Sequence, residues 1–324
     1  MAVALFFVAV PFVLENMSQY YLYLIIKLMI WALFAISFNL VLGYGGMMSF
    51  GHAAFFGTGA YACGLILVKT SLPTAVAFLS APLAASLIGL VIGYFSVRIK
   101  GTFYFATLTL SCSQLLYILV YKWRSFTFGD DGIQGIRVPN LISTLDTYVN
   151  YYFFALAVTL PCIYALWRIT KSPFGLMLRT IREDAERSSF IGVNVNRYKL
   201  TAFVVSAFFS GIAGALFTLL ETSLSPDVLF WTASGEVILM GLLGGMQLFL
   251  GPALGAAIII FLNSFLGSYT QYWGMFLGVT LVVQLATDTV SAGVLPDNGV
   301  VDGLAGGALP NDGGFALVGD ANGG

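Results

Sequence analysis

Arg168-Ile-Thr-Lys-Ser-Pro-Phe-Gly-Leu-Met-Leu-Arg-Thr-Ile-Arg-Glu-Asp-Ala-Glu-Arg-Ser-Ser-Phe-Ile-Gly-Val-Asn-Val-Asn-Arg-Tyr-Lys199 gathers seven of the chain's 14 Lys and Arg residues. Charge-free apolar runs lie on both sides, over 147–167 and 200–220. Each is long enough to cross a bilayer, which takes roughly 20 apolar residues. A short, basic loop between two spans is expected on the cytoplasmic side, because short loops rich in Lys and Arg resist translocation. The loop also has helical character of its own. Ser172-Pro173 suits an N-terminus, with Ser able to cap and Pro fitting the first turn. Gly192 suits a stop. Between them, spacing predicts one amphipathic helix over Phe174 to Ile191, with Leu176, Leu178, Ile181, Ala185 and Ser189 on the apolar side. Arg179, Arg182, Glu183, Glu186 and Arg187 make the polar side. A helix of this kind lies on the membrane surface or docks a cytoplasmic partner, and its length and charge between two spans point to docking.

Of the 324 residues, 59% are hydrophobic and only 9% charged, against about 25% charged in a soluble domain. The chain is therefore an all-α integral membrane protein. Alternating strands of the outer-membrane barrel kind are absent. Further charge-free runs at 28–68, 70–97, 101–121 and 237–287 predict a polytopic bundle of about eight transmembrane helices. A short Met1–Leu14 comes first and a span from Tyr272 to about Ala286 last. Residues 1–288 read as the transmembrane domain, with 168–199 as its main cytoplasmic loop. Residues 289–324, rich in Gly, Asp and Asn and without Lys or Arg, read as a disordered tail. Arg98 and Lys100 close another span and are expected at the same face as the basic loop. Cys63, Cys112 and Cys162 match no metal spacing and read as apolar packing residues.

Two spans are interrupted. Residues 43–59 hold six glycines in 17 positions, which is poor helix chemistry. Such a break in a membrane marks a substrate path or close packing through small residues. Asn39, Gly45, Gly46, Ser49, Gly51 and His52 fall in or beside it. His52, the chain's one histidine, reads as a hydrogen-bonded packing residue. Gly244, Gly245, Gly251 and Gly255 interrupt the last apolar block, and Gly244-Gly-Met echoes Gly45-Gly-Met as a hint of an internal repeat. Thr107, Thr109, Ser111 and Ser113 read as hydroxyls bonded back to their own helix. The segment 122–146 is expected outside, with Asp130 and Asp131 as contacts for a soluble partner; 221–234 is expected there too.

Catalytic patterns are missing. No GxxxxGK[ST] loop is present to cradle ATP, and no HExxH occurs. Lys27, Glu221 and Glu236 sit at span ends, whereas ion-coupled carriers keep charges inside their spans. A docking helix on a chain lacking a nucleotide loop points to a separate ATPase. No cofactor, metal or nucleic-acid site is read in this chain.

Phe38-Asn-Leu-Val-Leu-Gly-Tyr-Gly-Gly-Met-Met-Ser-Phe-Gly-His-Ala-Ala-Phe-Phe-Gly-Thr-Gly-Ala-Tyr61 resembles the LivM-type permease subunits of high-affinity branched-chain amino acid ABC importers. So do Lys100-Gly-Thr-Phe-Tyr-Phe-Ala-Thr-Leu-Thr-Leu110, Gly129-Asp-Asp-Gly-Ile-Gln-Gly135 and the run Ser172 to Arg187, together covering about 20–283. The resemblance implies a bacterial inner-membrane permease subunit without its own ATPase. Its partners would be two ABC ATPase subunits, a second, LivH-like permease subunit and a periplasmic binding protein delivering leucine, isoleucine or valine. It places Arg182, Glu183, Asp184, Ala185 and Gly192 in the ATPase-coupling loop, and the two Gly-rich breaks near the translocation path. The loop departs from the general importer pattern of Glu-Ala-Ala, reading Glu183-Asp-Ala185. A urea or amide importer of the same superfamily and a stand-alone secondary carrier remain the alternatives.

Overall fold

The computed structural model describes residues 19–70, 72–98, 101–136, 148–266 and 278. The expected first span and the tail lie outside these residues, as does the expected last span apart from Gly278. All but Gly278 belong to one unit, Met1–Leu277. Its helices are α1 (Gln19–Asn39, continued by a π-helical turn over Leu40–Tyr44), α2 (His52–Lys69), α3 (Thr74–Ser96), α4 (Thr102–Lys122) and the short α5 (Arg124–Thr127). They continue as α6 (Tyr148–Lys171), α7 (Pro173–Glu183), α8 (Ala185–Phe190), α9 (Val195–Glu221), α10 (Trp231–Gly244) and α11 (Gly251–Leu266). Among the described residues there is no strand, only the bridge Ile133 to Leu224.

Among the described residues, five helices are long and apolar enough to cross a membrane: Gln19–Tyr44, Thr74–Ser96, Phe103–Lys122, Tyr148–Lys171 and Val195–Glu221. The first and last of these are 72% and 78% buried, the other three only 22–33%. α1 and α9 are thus the centre of the bundle. The sequence of α3 shows why helices can pack so closely on α9. Ala77, Ala81, Ala85, Gly89 and Gly93 recur every four residues and are buried. A Cβ added at Gly211 of α9 would lie 2.6 Å from that of Ala85, and one at Gly89 2.5 Å from that of Ala207. Contact between apolar helices in lipid relies on such small residues, because burying leucine there gains little. On the opposite face of α3, Leu79, Leu83, Leu87, Val91 and Phe95 are exposed, an aliphatic stripe for lipid. Cys63 is buried and all three cysteines are free.

The bundle has two dissimilar ends. At one, Tyr23 donates to Glu221 at 2.6 Å. Residues 133–136 are clasped to 222–224 by three backbone hydrogen bonds of 2.8–3.1 Å. At the other, Arg98 lines the same cavity as Ala185, Asn194 and Lys199. Arg98 after α3 and the basic loop after α6 therefore share an end.

Candidate functional site

The basic loop folds as two helices, correcting the expectation of one. Ser172 precedes Pro173 in extended conformation, but its hydroxyl donates back to the Ile169 carbonyl at 2.6 Å and caps nothing. α7 then runs until Asp184, whose backbone is extended (φ −152°, ψ 102°). Asp184 stops one helix because its side chain starts the next. Its Oδ1 accepts from the amides of Glu186 and Arg187, both at 3.0 Å, as an N-cap does. Arg187 Nε closes on Oδ2 at 2.8 Å. Gly192, with φ +87°, ends α8, in the left-handed region where glycine carries no steric cost. The bend rotates the two apolar faces apart. Leu178, Ile181 and Ser188 are buried, while Leu176 and Ser189 are exposed. Phe190 and Ile191, 85% and 73% exposed, project at the tip. This pair escaped sequence reading, because a helical wheel drawn through Asp184 put them on no coherent face.

α7 is joined to the first Gly-rich break. Arg182 Nη1 donates to the carbonyl of Gly43, and the Arg179 guanidinium lies 4.7 Å from the Tyr44 ring centroid. Both acceptors belong to the π-helical turn that ends α1. A π-turn widens the helix and is common where function needs irregular backbone. Gly46 has φ +66°, and a Cβ there would come within 2.8 Å of Arg182 Cγ. The missing side chain is what lets the arginine stem lie on the break. Glu183 beside it is exposed and forms no ion pair among the described residues.

The two Gly-rich breaks also meet. Asn39 Nδ2 donates to the Leu248 carbonyl at 3.2 Å. A Cβ on Gly43 would lie 2.1 Å from Asn39 Oδ1 and 2.5 Å from the Met246 carbonyl. Gly244, Gly251 and Gly255 let α10 and α11 touch through backbone; a Cβ on Gly255 would sit 1.8 Å from the Met240 carbonyl. Both readings of these glycines hold for 244–255: a broken helix and close packing. Gly46 and Met47 line a cavity of about 740 Å³ together with Ala185, Glu186, Gly192 and Lys199. The breaks thus lie toward the basic end of the bundle.

His52 lies in the bundle interior. It is fully buried, with Phe38, Phe55 and Phe203 edge-on at 4.7, 5.2 and 5.8 Å. Ser206 Oγ donates its hydrogen to the Ser37 carbonyl at 2.6 Å, so it accepts the Nε2–H of His52 at 2.9 Å. Ser49 Oγ accepts from the Gly51 amide at 3.2 Å, and a Cβ at Gly51 would meet the Thr109 carbonyl at 2.7 Å. Thr107, Thr109 and Ser111 bond back within α4, but Ser113 reaches the Leu229 carbonyl at 3.2 Å.

That last contact shows that the segment 221–234 packs into the bundle through Leu229. Leu229 is buried on Gly57, where a Cβ would lie 2.4 Å from Leu229 Cγ. Ser234 Oγ accepts the Ala53 amide at 2.7 Å. The connection enters the bundle between α2 and α4, and α10 caps the start of α2. Of the acidic pair, Asp130 accepts from Arg124 at 2.7 Å on the surface. Arg124 holds its carboxyl below the usual carboxylate range, and the arginine is raised in turn. Asp131 is exposed and forms no ion pair among the described residues.

Residues 20–285 match the family described as branched-chain amino acid transport system / permease component. The chain belongs to this family. The matched segment contains both breaks and the whole α7–α8 loop. The LivM permease protein of the Escherichia coli (strain K12) high-affinity branched-chain amino acid transport system is 26% identical over 281 residues, 79% of this chain. The chain spans 66% of that relative's length. A probable LivM of Methanocaldococcus jannaschii is 24% identical over 284 residues, covering 76% of this chain and 81% of the relative. The LivH permease protein of Salmonella typhimurium is 24% identical over 250 residues, covering 71% and 79%. No solved structure matches. The resemblance seen in the sequence is thereby shown, and the fold is that of a permease-family helical bundle.

Proposed function

We propose that this chain is the permease subunit of an ABC importer that carries leucine, isoleucine or valine across a bacterial inner membrane. The observation that carries the reading is the bond from Arg182 of α7 to Gly43 in the first break. It links a surface helix on the basic loop to backbone deep enough to touch the second break through Asn39 and Leu248. Two ABC ATPase subunits bind and hydrolyse ATP, and this chain performs no covalent chemistry. The loop 168–199 is cytoplasmic, where Glu183 and the Phe190–Ile191 tip meet an ATPase subunit. Closure of the ATPases displaces α7 and α8, and Arg182 passes the displacement to the end of α1. Asn39 and Gly43 pass it to the α10–α11 hairpin, so that access switches from one face to the other. Gly45, Gly46, Ser49, Gly51, Gly244 and Gly245 form the moving boundary of the path. A LivH-like second permease subunit completes the pathway, and a periplasmic binding protein delivers the amino acid, with Asp131 among its contacts.

Uptake of labelled leucine and labelled urea tests this, in cells expressing the neighbouring transport genes with and without this chain. Leucine uptake that requires both the chain and the ATPase genes is expected. Urea uptake alone overturns the substrate. Uptake that persists without the ATPases overturns the mechanism.

A further inference from the structure

Two adjoining cavities at the basic end include residues that the transport reading leaves unused. The smaller, about 310 Å³, runs between the end of α3 and the start of α9. Its apolar lining is Gly93, Tyr94, Val97 and Leu200; its polar lining is Arg98, Asn196 and Arg197. Val97, Arg98 and Asn196 also line the larger cavity, where Lys199 joins them. Gly93 lines this slot and lets α3 approach α9 closely; a Cβ there would be 2.8 Å from the Phe203 ring. Tyr94 and Phe95 are exposed, continuing the aliphatic stripe of Leu79, Leu83, Leu87 and Val91. The slot therefore opens where the lipid-facing side of α3 reaches the end of its span.

The charge at this place is unbalanced. Arg98 sits over the wall, its guanidinium 4.0 Å from the Tyr94 ring centroid. Arg98, Arg197 and Lys199 form no ion pair among the described residues. Glu186 is the acidic residue lining the larger cavity, and no acidic residue lines the smaller. An apolar slot in contact with lipid, closed by two guanidinium groups, has the chemistry of a phospholipid site. The acyl chain suits the slot, and a phosphate suits two planar, multidentate donors better than it suits lysine. A zwitterionic headgroup would bring its own ammonium into a place already crowded with cations. We propose that the slot between α3 and α9 binds an anionic phospholipid, its phosphate held by Arg98 and Arg197. The site rests on the membrane-spanning fold alone and not on the identity of the transported solute.

Native mass spectrometry of the full chain, purified with its partner subunits, tests the site with phosphatidylglycerol and phosphatidylcholine as probes. Each basic residue near an anionic lipid surface contributes enough that a preference for phosphatidylglycerol of about tenfold is expected. R98Q/R197Q should abolish that preference. R98K/R197K should retain most of it, and R168Q/K171Q, which removes two charges elsewhere in the same loop region, should leave it unchanged. Equal binding of the two lipids by the unaltered chain overturns the proposal, whatever the variants do. So does an equal loss in R168Q/K171Q, which would mean a diffuse basic surface and not a site. Displacement of the lipid by millimolar inorganic phosphate would assign the site to a free anion, and would overturn the lipid assignment.

Discussion

Arg182→Ala removes the side chain that hydrogen-bonds the surface helix α7 to the first Gly-rich break, leaving Arg179 over Tyr44. A hydrogen bond made by a charged group is worth about 1.5–3 kcal/mol. Arg182 is exposed and its bond to Gly43 only part-buried, so the low end applies, about 1.5–2 kcal/mol, or a factor of about 10–30 in an equilibrium. Where the bond is made in only one of two access states, its loss shifts their balance by that factor. Three variants separate its parts. Arg182→Met keeps the stem that covers Gly46 but loses the donor. Arg182→Lys keeps charge and stem but loses the planar fork. Arg182→Ala loses all three. The assay is leucine transported per ATP hydrolysed in proteoliposomes, with ATPase subunits quantified in the same preparation. A fall of about tenfold or more is expected in the Ala and Met variants, a smaller one in Lys, and unchanged ATPase content in all. An unchanged transport-to-hydrolysis ratio in Arg182→Ala would refute transmission through Gly43. Loss of ATPase content would show instead that Arg182 touches the ATPase itself.

The tip behaves differently from Arg182. Phe190→Ala with Ile191→Ser should weaken ATPase co-purification about tenfold or more, as loss of an exposed aromatic anchor does, while the amount of chain in the membrane stays the same. Glycine substitutions test the packing. Gly255→Ala, whose Cβ would lie 1.8 Å from the Met240 carbonyl, should lose about 1–3 kcal/mol and unfold at lower temperature. Gly235→Ala in the same hairpin meets nothing within 4 Å and should be neutral or gain up to about 1 kcal/mol; equal effects would show that the helix contact is not close. His52→Ala should cost about 3 kcal/mol by emptying an aromatic cluster, lowering yield, yet uptake per folded molecule should hold. Specific uptake that collapses would give His52 a direct part in the path.

How much of this was legible in the sequence differs from residue to residue. The basic loop could be seen because charge is rare elsewhere, and Pro173 and Gly192 act locally at helix ends. The bend at Asp184 was missed although its signal was present. An Asp followed by Glu186 and Arg187 is an N-cap pattern inside a run that periodicity treats as continuous. The small-residue stripe of α3 was equally open to view at four-residue spacing. The entry of Leu229 into the bundle left no comparable trace, since an apolar residue in a short connection looks the same whether it faces solvent, lipid or protein.

By itself, the sequence determined that the chain is a helical membrane protein, that its charge is concentrated in one loop, and to which family it belongs. These follow from composition, from the length of apolar runs and from local motifs, none of which needs a partner segment. Only the tertiary structure decided that Arg182 points into the bundle, that Gly43 faces both Asn39 and Met246, and that the two breaks form one contact. A glycine has no side chain to declare its neighbour, and an arginine on an amphipathic helix obeys the same period whether it meets water or a carbonyl. Such pairings join residues far apart in the chain, 139 positions in the case of Arg182 and Gly43, and periodicity carries no information over that distance.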